Sequence, residues 1–203
     1  GVEGEPQRED LESLDLREGD WVYATGYDLA HYTSRGVLAD WLLSIPAGVG
    51  LVIDLGPVQP DIPDQVLLPL LHRATMLTGN DLEMSRLERR LGGTDALRQA
   101  CPQALIVRRT GVHGCVLHPV GAEPTEVPGF VRGVVDTTGA GDTHTGVLVA
   151  GLLDGLDVVE AARRANAAAA HAVARTGPAQ APRREEIDKI LLESSDMSDD
   201  DAC

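Results

Sequence analysis

Short apolar runs alternate along the chain with longer segments of helical spacing. Residues 21–26 and 49–55 are rich in β-branched and aliphatic side chains and predict strands. Between them, the apolar positions of residues 31–44 recur at the spacing of one helix face, and Pro46 closes the predicted helix. This alternation is typical of βαβ units, so we expect an α/β fold with a mostly parallel sheet.

The same pattern continues towards the C-terminal end. It predicts further helices at residues 65–71, 80–90, 95–100, 142–155, 158–175 and 184–192, and further strands at residues 74–77, 104–108, 115–118 and 125–127. Residues 1–20 are acidic with little periodicity and predict an irregular lead-in, whereas residues 194–203 are polar and acidic and predict a disordered tail. Residues 21–193 form the predicted domain.

Charge and composition narrow the range of functions. The 32 acidic residues outnumber the 17 basic ones, which gives a net charge of -15, so nucleic acid and anionic membranes are not expected partners. The longest apolar stretch, residues 146–153, is too short to span a bilayer, and the first residues hold no apolar signal segment. The three cysteines include no closely spaced pair, and we expect a cytoplasmic protein.

The strongest chemical signal is the octapeptide Asp-Thr-Thr-Gly-Ala-Gly-Asp-Thr at residues 136–143, which leads into an apolar helix. Gly139 and Gly141 allow a tight turn that exposes successive amide N–H groups, and the helix directs its positive end to the same point. A phosphoryl group would be held there, and Asp142 could take a proton from an attacking hydroxyl. The alternative is that Asp142 only caps the helix.

This octapeptide resembles the signature of the ribokinase-like (PfkB) family of sugar and nucleoside kinases. The resemblance covers residues 21–182 and implies a ribokinase-like three-layer α/β/α fold with a mostly parallel sheet, from which the family's N-terminal part and lid are missing. It implies an ATP-dependent phosphotransferase that acts on a hydroxyl of a sugar or sugar-like small molecule. Asp142 would be the catalytic base, and the amides of Gly139, Ala140 and Gly141 would form the anion hole.

Two further positions match family elements. Asn80 and Glu83 resemble the pair that works near the triphosphate and its Mg²⁺, with Glu83 acting through water; the alternative is a helix capping box. Asn166, in an alanine-rich stretch, resembles the residue that lies near the adenine; the alternative is a surface or packing amide.

The turn at residues 109–114 is similar to the family turn that lines the nucleotide site, which implies contacts from Arg109, Thr110, Gly111 and Gly114. Many members have Thr or Lys where this chain has Arg109, and a glycine-bearing hairpin is the alternative. Residues 173–178 look like the family's closing loop, which in several members helps bind a monovalent cation. This would make Asp136 and Thr138 candidate K⁺ ligands, unless Asp136 is a turn residue.

The segment Asp54-Leu55-Gly56-Pro57 departs from a family pattern that carries Asn and Arg, so acceptor contacts are not assigned there. The expected partner is a sugar or nucleoside substrate, and the resemblance is compatible with a homodimer. A second hypothesis is a truncated or inactive kinase relative that acts as a nucleotide-binding module. A third, an oxidoreductase or other mononucleotide binder that uses the same loop, is disfavoured because His144 breaks the dinucleotide fingerprint G-x-G-x-x-G.

Overall fold

The computed structural model describes residues 6–178 and 180–200, with side chains up to residue 193. The chain separates into two compact units. The first unit comprises residues 1–108 and 118–123, and the second comprises residues 109–117 and 124–203.

The first unit alternates strands and helices in chain order. Its elements are α1 (Arg8–Glu12), β1 (Trp21–Thr25), α2 (Gly26–Ala30), α3 (Arg35–Ser44), β2 (Gly50–Asp54), α4 (Asp64–Arg73), β3 (Met76–Asn80), α5 (Asp81–Leu91), α6 (Thr94–Ala100) and β4 (Leu105–Arg109), of which Arg109 belongs to the second unit. The predicted strands and helices are found within a few residues of their expected bounds.

The strands of the first unit lie in the order β1-β2-β3-β4. The pairs β1-β2 and β2-β3 are parallel, with Val22 opposite Leu51 and Ile53 opposite Leu77. All five residues of β2 are buried, as expected for a parallel strand covered on both faces. Parallel pairing aligns the carboxyl ends of these strands at one edge, where polar residues such as Asp54 occur.

Helix α2 was not predicted from the sequence. The apolar run of β1 leads directly into it, and Thr25 caps it through a capping box with Asp28. Gly26 is required at its first position, because a Cβ there would lie 1.8 Å from the carbonyl oxygen of Leu55. The capping box is a local contact, whereas the close approach of Leu55 to Gly26 joins distant segments and is not reported by helical periodicity.

Among its described residues, the second unit holds an antiparallel hairpin and three α-helices. Its elements are β5 (Gly114–His118, of which His118 belongs to the first unit), β6 (Thr125–Pro128), α7 (Ala140–Leu153), α8 (Val158–Val173) and α9 (Arg184–Asp200). The alanines of α8 allow close packing on α7, where a Cβ on Gly151 would lie 3.0 Å from that of Ala161. This explains why the predicted alanine-rich helix is almost wholly buried along one face.

Two terminal segments differ from the irregular structure expected of them. Residues 8–12 of the predicted lead-in form the short helix α1, in which Arg8 and Glu12 are paired one turn apart. Helix α9 continues to Asp200, since its sequence contains neither glycine nor proline after Arg184, and residues 201–203 lie outside the described residues. The division into residues 1–20, 21–193 and 194–203 stays a prediction.

In the part of the chain that the structure describes, no helix combines the length and the apolar character needed to cross a membrane.

Candidate functional site

The octapeptide at residues 136–143 forms a turn that ends at the start of α7. Gly139 is the residue before the helix and has φ +76°, in the left-handed region that favours glycine. A Cβ at this position would lie 2.4 Å from the carbonyl oxygen of Pro178. Gly139 therefore satisfies two constraints at once, its backbone conformation and its close approach to the loop that follows α8.

The first turn of α7 directs its amide groups to one point. The N–H groups at the start of an α-helix have no carbonyl of the same helix within reach, and the helix dipole adds to their positive charge. The N–H of Ala140 donates to the carbonyl of Thr137 at 3.3 Å, which closes the turn in front of the helix. Helix α7 has 14 residues, long enough for a full dipole, so this end is suited to bind an anion.

Asp142 is the third residue of α7 and is exposed, whereas Thr143, His144 and Thr145 after it are buried. A carboxylate in the first turn is stabilised by the helix dipole, so the capping interpretation remains compatible with its position. Its exposure also makes it accessible to a substrate hydroxyl.

Arg109 lies against the same turn within the second unit. A Cβ on Gly141 would lie 3.2 Å from Nη2 of Arg109 and 3.3 Å from its Cζ, so the guanidinium group rests on the glycine. Nη1 donates a hydrogen bond to Oγ1 of Thr145 at 3.1 Å, and Thr145 is buried. A permanent positive charge is thus held beside the amide groups at the start of α7.

The role of Thr145 was missed from the sequence. Thr145 follows Gly141 by one helical turn, so both lie on the same face of α7, and that spacing was the available signal. What the sequence did not indicate was that Arg109 would be their partner.

Asp136 connects the turn to the loop after α8. Its two carboxylate oxygens accept hydrogen bonds from the N–H groups of Thr138 at 2.9 Å and Gly177 at 3.0 Å. The N–H groups of Val135 and Asp136 both donate to the carbonyl of Val173. The hydrogen bonds from Thr138, followed by the one from Gly177, hold the pKa of Asp136 below its usual range. Asp136 is therefore a turn residue, and it also holds the predicted closing loop against the signature turn.

Asn166 is buried and its amide group is engaged on all sides. Nδ2 donates to the carbonyl oxygens of Val127 at 3.0 Å and Pro128 at 3.1 Å. Because both amide protons are used, Oδ1 accepts from Nε2 of His144 at 3.0 Å, which fixes the proton of His144 on that nitrogen. The side chain therefore ties α7, α8 and β6 together, as the packing alternative describes.

Both glycines of the turn at residues 109–114 have positive φ, 66° at Gly111 and 98° at Gly114. The N–H of Thr110 donates to the carbonyl of Gly114 at 2.8 Å. A Cβ on Gly114 would lie 2.1 Å from the carbonyl oxygen of Val127, so the hairpin itself requires this glycine. The hairpin alternative thus explains the glycine spacing without a ligand.

Asn80 and Glu83 lie in the first unit, whereas the other predicted site residues lie in the second. The Oδ1 atom of Asn80 accepts from the N–H of Glu83 at 2.9 Å, and Oε2 of Glu83 accepts from the N–H of Asn80 at 2.7 Å. This reciprocal pair is a capping box, the alternative that the sequence left open. Glu83 is only 6% exposed, so its carboxylate is held in a fixed position.

Asp54, in the departing segment, is buried at the carboxyl end of β2 and aligned with Thr78 of β3. Its Oδ2 atom accepts a hydrogen bond from the hydroxyl of Tyr23 at 3.2 Å. This contact between β1 and β2 was not predicted, since it depends on the register of two strands.

Among the described residues, no group of three or more His, Cys, Asp and Glu side chains is arranged to hold a metal ion. Magnesium commonly uses one or two carboxylates together with waters and substrate phosphates, so a single fixed carboxylate such as Glu83 fits that donor set. The two carboxylate oxygens of Asp136 already accept hydrogen bonds from two N–H groups. A cation would be bound there in addition to those hydrogen bonds.

Comparison with known proteins gives consistent matches. The pfkB family carbohydrate kinase domain matches residues 5–184. The chain is 32% identical over 193 residues to the "Uncharacterized sugar kinase YegV" of Escherichia coli K12, and the match covers 92% of this chain and 59% of that protein.

Solved structures match over nearly the whole chain. A ribokinase from Thermotoga maritima aligns with a TM-score of 0.76 at 23% identity, covering 95% of this chain and 63% of that one. A fructokinase from Vibrio cholerae, in a fructose-, ADP- and calcium-bound form, aligns with a TM-score of 0.77 at 21% identity, covering 92% and 64%. These matches confirm the ribokinase-like α/β fold, and the chain spans about six-tenths of the length of these proteins.

Proposed function

The chain belongs to the pfkB family of carbohydrate kinases, and from that premise we propose that it carries the nucleotide-binding part of an ATP-dependent phosphotransferase. The acceptor is a hydroxyl group of a sugar or sugar-like small molecule. One observation supports this most: exposed Asp142 stands in the first turn of α7, where the guanidinium of Arg109 rests on Gly141.

Asp142 acts as the general base. As the acceptor oxygen attacks the γ-phosphorus, a new P–O bond forms, the bond to the β–γ bridging oxygen breaks, and ADP leaves with that electron pair. The proton of the hydroxyl passes to the Asp142 carboxylate.

The amides of Gly139, Ala140 and Gly141 stabilise the charge on the transferred phosphoryl group. Pro178 and the φ of Gly139 already fix the backbone of the turn. The N–H of Ala140 would exchange its 3.3 Å hydrogen bond to the carbonyl of Thr137 for one to the phosphoryl group. Arg109 adds a cation whose position Thr145 restrains. A guanidinium in such a place acts on phosphate oxygens as a bidentate donor.

Mg²⁺ and ATP are expected together, and Glu83 is the residue that fits the ion through its water shell. When bound, the ion neutralises charge on the triphosphate.

K⁺ is a further candidate near Asp136 and Thr138, whose turn is held by Gly177. Thr110, Gly111 and Gly114 shape the adjacent hairpin, which we place beside the nucleotide.

Asn166 is assigned a positioning role rather than direct contact with adenine. Its amide already holds the backbone of Val127 and Pro128 and the ring of His144. Releasing it to bind a base would leave buried carbonyl groups without donors, which is costly.

A second candidate function is nucleotide binding without transfer. The chain spans 59% of the Escherichia coli relative that it matches, and a donor site alone would bind ATP but turn over no sugar. The two candidates differ in one measurable property, acceptor-dependent release of ADP.

The test is a coupled assay of ADP release with a panel of sugars, beside calorimetric titration with a non-hydrolysable ATP analogue and Mg²⁺. Asp142→Asn is expected to abolish transfer and leave binding of the analogue nearly unchanged. Asp154→Asn is the matched control, since Asp154 follows the opposite end of α7 and should leave both properties intact.

Equal turnover by Asp142→Asn would remove Asp142 from its role as base. Analogue binding without ADP release by the wild type would favour the binding module. A folded wild type that binds no analogue would overturn both candidates.

A further inference from the structure

An open cavity of about 380 Å³ lies between the C-terminal half of α8, helix α9 and the loop before α7. We call it the α8–α9 cavity. Three cations line it: Arg132, Arg175 and Lys189, the last being the only lysine of the chain. These three cations outnumber the two carboxylates that also line the cavity, Glu186 and Glu193, in a chain of net charge -15. Its lining includes none of residues 136–142, so it is separate from the signature turn.

Two carboxylates also line the cavity, and both are engaged. Glu193 accepts a hydrogen bond from Arg132 at 2.7 Å. Glu186 accepts one from the backbone N–H of Arg183 at 2.9 Å. Arg175 donates through Nη1 to the carbonyl of His171 at 3.0 Å, which leaves its other guanidinium donors available. Among the side chains that the structure describes, Arg175 and Lys189 have no carboxylate within ion-pair distance, although the charge of Arg175 still acts on Glu186 and that of Lys189 on Glu193.

His171 lies at the wall of the cavity and is nearly buried. Its Nε2 atom is 3.6 Å from Oε1 of Glu186. Burial, followed by the charge of Arg175, holds the pKa of His171 below its usual value, while Glu186 opposes the shift. A negatively charged ligand beside Arg175 would further oppose the lowering of the His171 pKa. The His171 ring can therefore report whether the cavity is occupied.

We propose that the α8–α9 cavity is a second ligand site that binds a phosphate group through Arg175 and Lys189, with Arg132 at its rim. A guanidinium fork matches two phosphate oxygens, and an ammonium group adds a point charge. The cavity falls within the range of about 300–1,000 Å³ that is typical of small-molecule sites.

The remaining wall of the cavity is apolar. Ala170, Ala174 and Ile190 line it and offer a surface for the carbon skeleton of a phosphate ester. The shared chemistry is therefore a phosphate group, either free or as an ester of a small molecule.

The test follows the His171 ring resonances of the full 203-residue chain by NMR, assigned with His171→Gln. One titration uses inorganic phosphate and a second uses a hexose 6-phosphate, each at constant ionic strength. We expect a saturable shift of these resonances and a rise in the pKa of His171 with at least one ligand. Tighter binding of the hexose phosphate would assign an ester site, and equal or tighter binding of phosphate would assign a free-phosphate site.

Arg175→Gln and Lys189→Gln should each weaken this binding about fivefold, the loss expected for one partly screened charge. Arg163→Gln is the matched control, because Arg163 lies on α8 outside the cavity and its loss changes the net charge equally. Three results would overturn the proposal: no saturable shift in the folded wild type, an equal shift with chloride, or equal weakening by the control.

Discussion

Replacement of Gly141 by alanine is expected to weaken nucleotide binding while leaving the stability of the fold nearly unchanged. The added Cβ would lie 3.2 Å from Nη2 of Arg109 and 3.3 Å from its Cζ. Contacts this short oblige the guanidinium to move by a few tenths of an ångström. The backbone does not resist the change, since Gly141 is not among the glycines with positive φ.

The stabilising and destabilising effects of Gly141→Ala on the folded protein nearly cancel. Alanine gains up to about 1 kcal/mol over glycine within a helix, and less in the first turn. Against this, the charged hydrogen bond from Arg109 to Thr145, worth about 1.5–3 kcal/mol when intact, is lengthened but not broken. We expect the free energy of unfolding in urea to stay within about 1 kcal/mol of wild type.

The effect on ligand binding is larger. If Arg109 contacts the phosphates of the nucleotide, its displacement should raise the Kd for a non-hydrolysable ATP analogue about fivefold, as measured by calorimetry. Gly146→Ala is the matched control, because Gly146 lies in the same helix with no atom within 4 Å of its added Cβ. The control should be slightly more stable and bind normally. Equal affinities of the two variants would refute the role given to Arg109.

Three further outcomes are expected. Gly139→Ala should destabilise the protein by more than about 2 kcal/mol in urea unfolding, because φ there is +76° and the Cβ would meet the carbonyl of Pro178. Asn166→Ala should cost about 2–4 kcal/mol in the same assay, since it removes the hydrogen bonds of the amide to two carbonyl groups and to His144. Asp136→Asn should lower stability at neutral pH. That difference should shrink as pH falls below about 4, because a folded-state pKa below the unfolded value gives stability that is lost on protonation.

Each outcome has a result that would contradict it. A Gly139→Ala variant as stable as wild type would show that the loop at Pro178 yields freely. An Asn166→Asp variant, which keeps the acceptor for His144 but loses both donors, should be about as unstable as Asn166→Ala; full stability would exclude the carbonyl contacts. A stability difference for Asp136→Asn that stays constant down to pH 3 would show that the carboxylate charge is not its source.

The sequence predicted most elements because their causes are local. Helix α8 was expected at residues 158–175 and is found at Val158–Val173. Helix α2 was missed because its start depends on the backbone of Leu55, which passes over Gly26. Likewise, the capping box of Asn80 and Glu83 followed from a spacing of three residues, whereas the contact of Tyr23 with Asp54 depended on strand register.

The sequence by itself determined the signature turn: the glycines that permit its backbone, the helix that follows it and the exposed Asp142 are set by neighbouring residues and their steric limits. Only the tertiary structure decided what surrounds that turn. It placed Arg109 on Gly141 and Thr145, engaged the amide of Asn166 with β6 and His144, and brought Arg132, Arg175 and Lys189 to one cavity. The physical reason is that a backbone conformation depends on a few adjacent residues, whereas the partner of a side chain depends on how the whole unit packs.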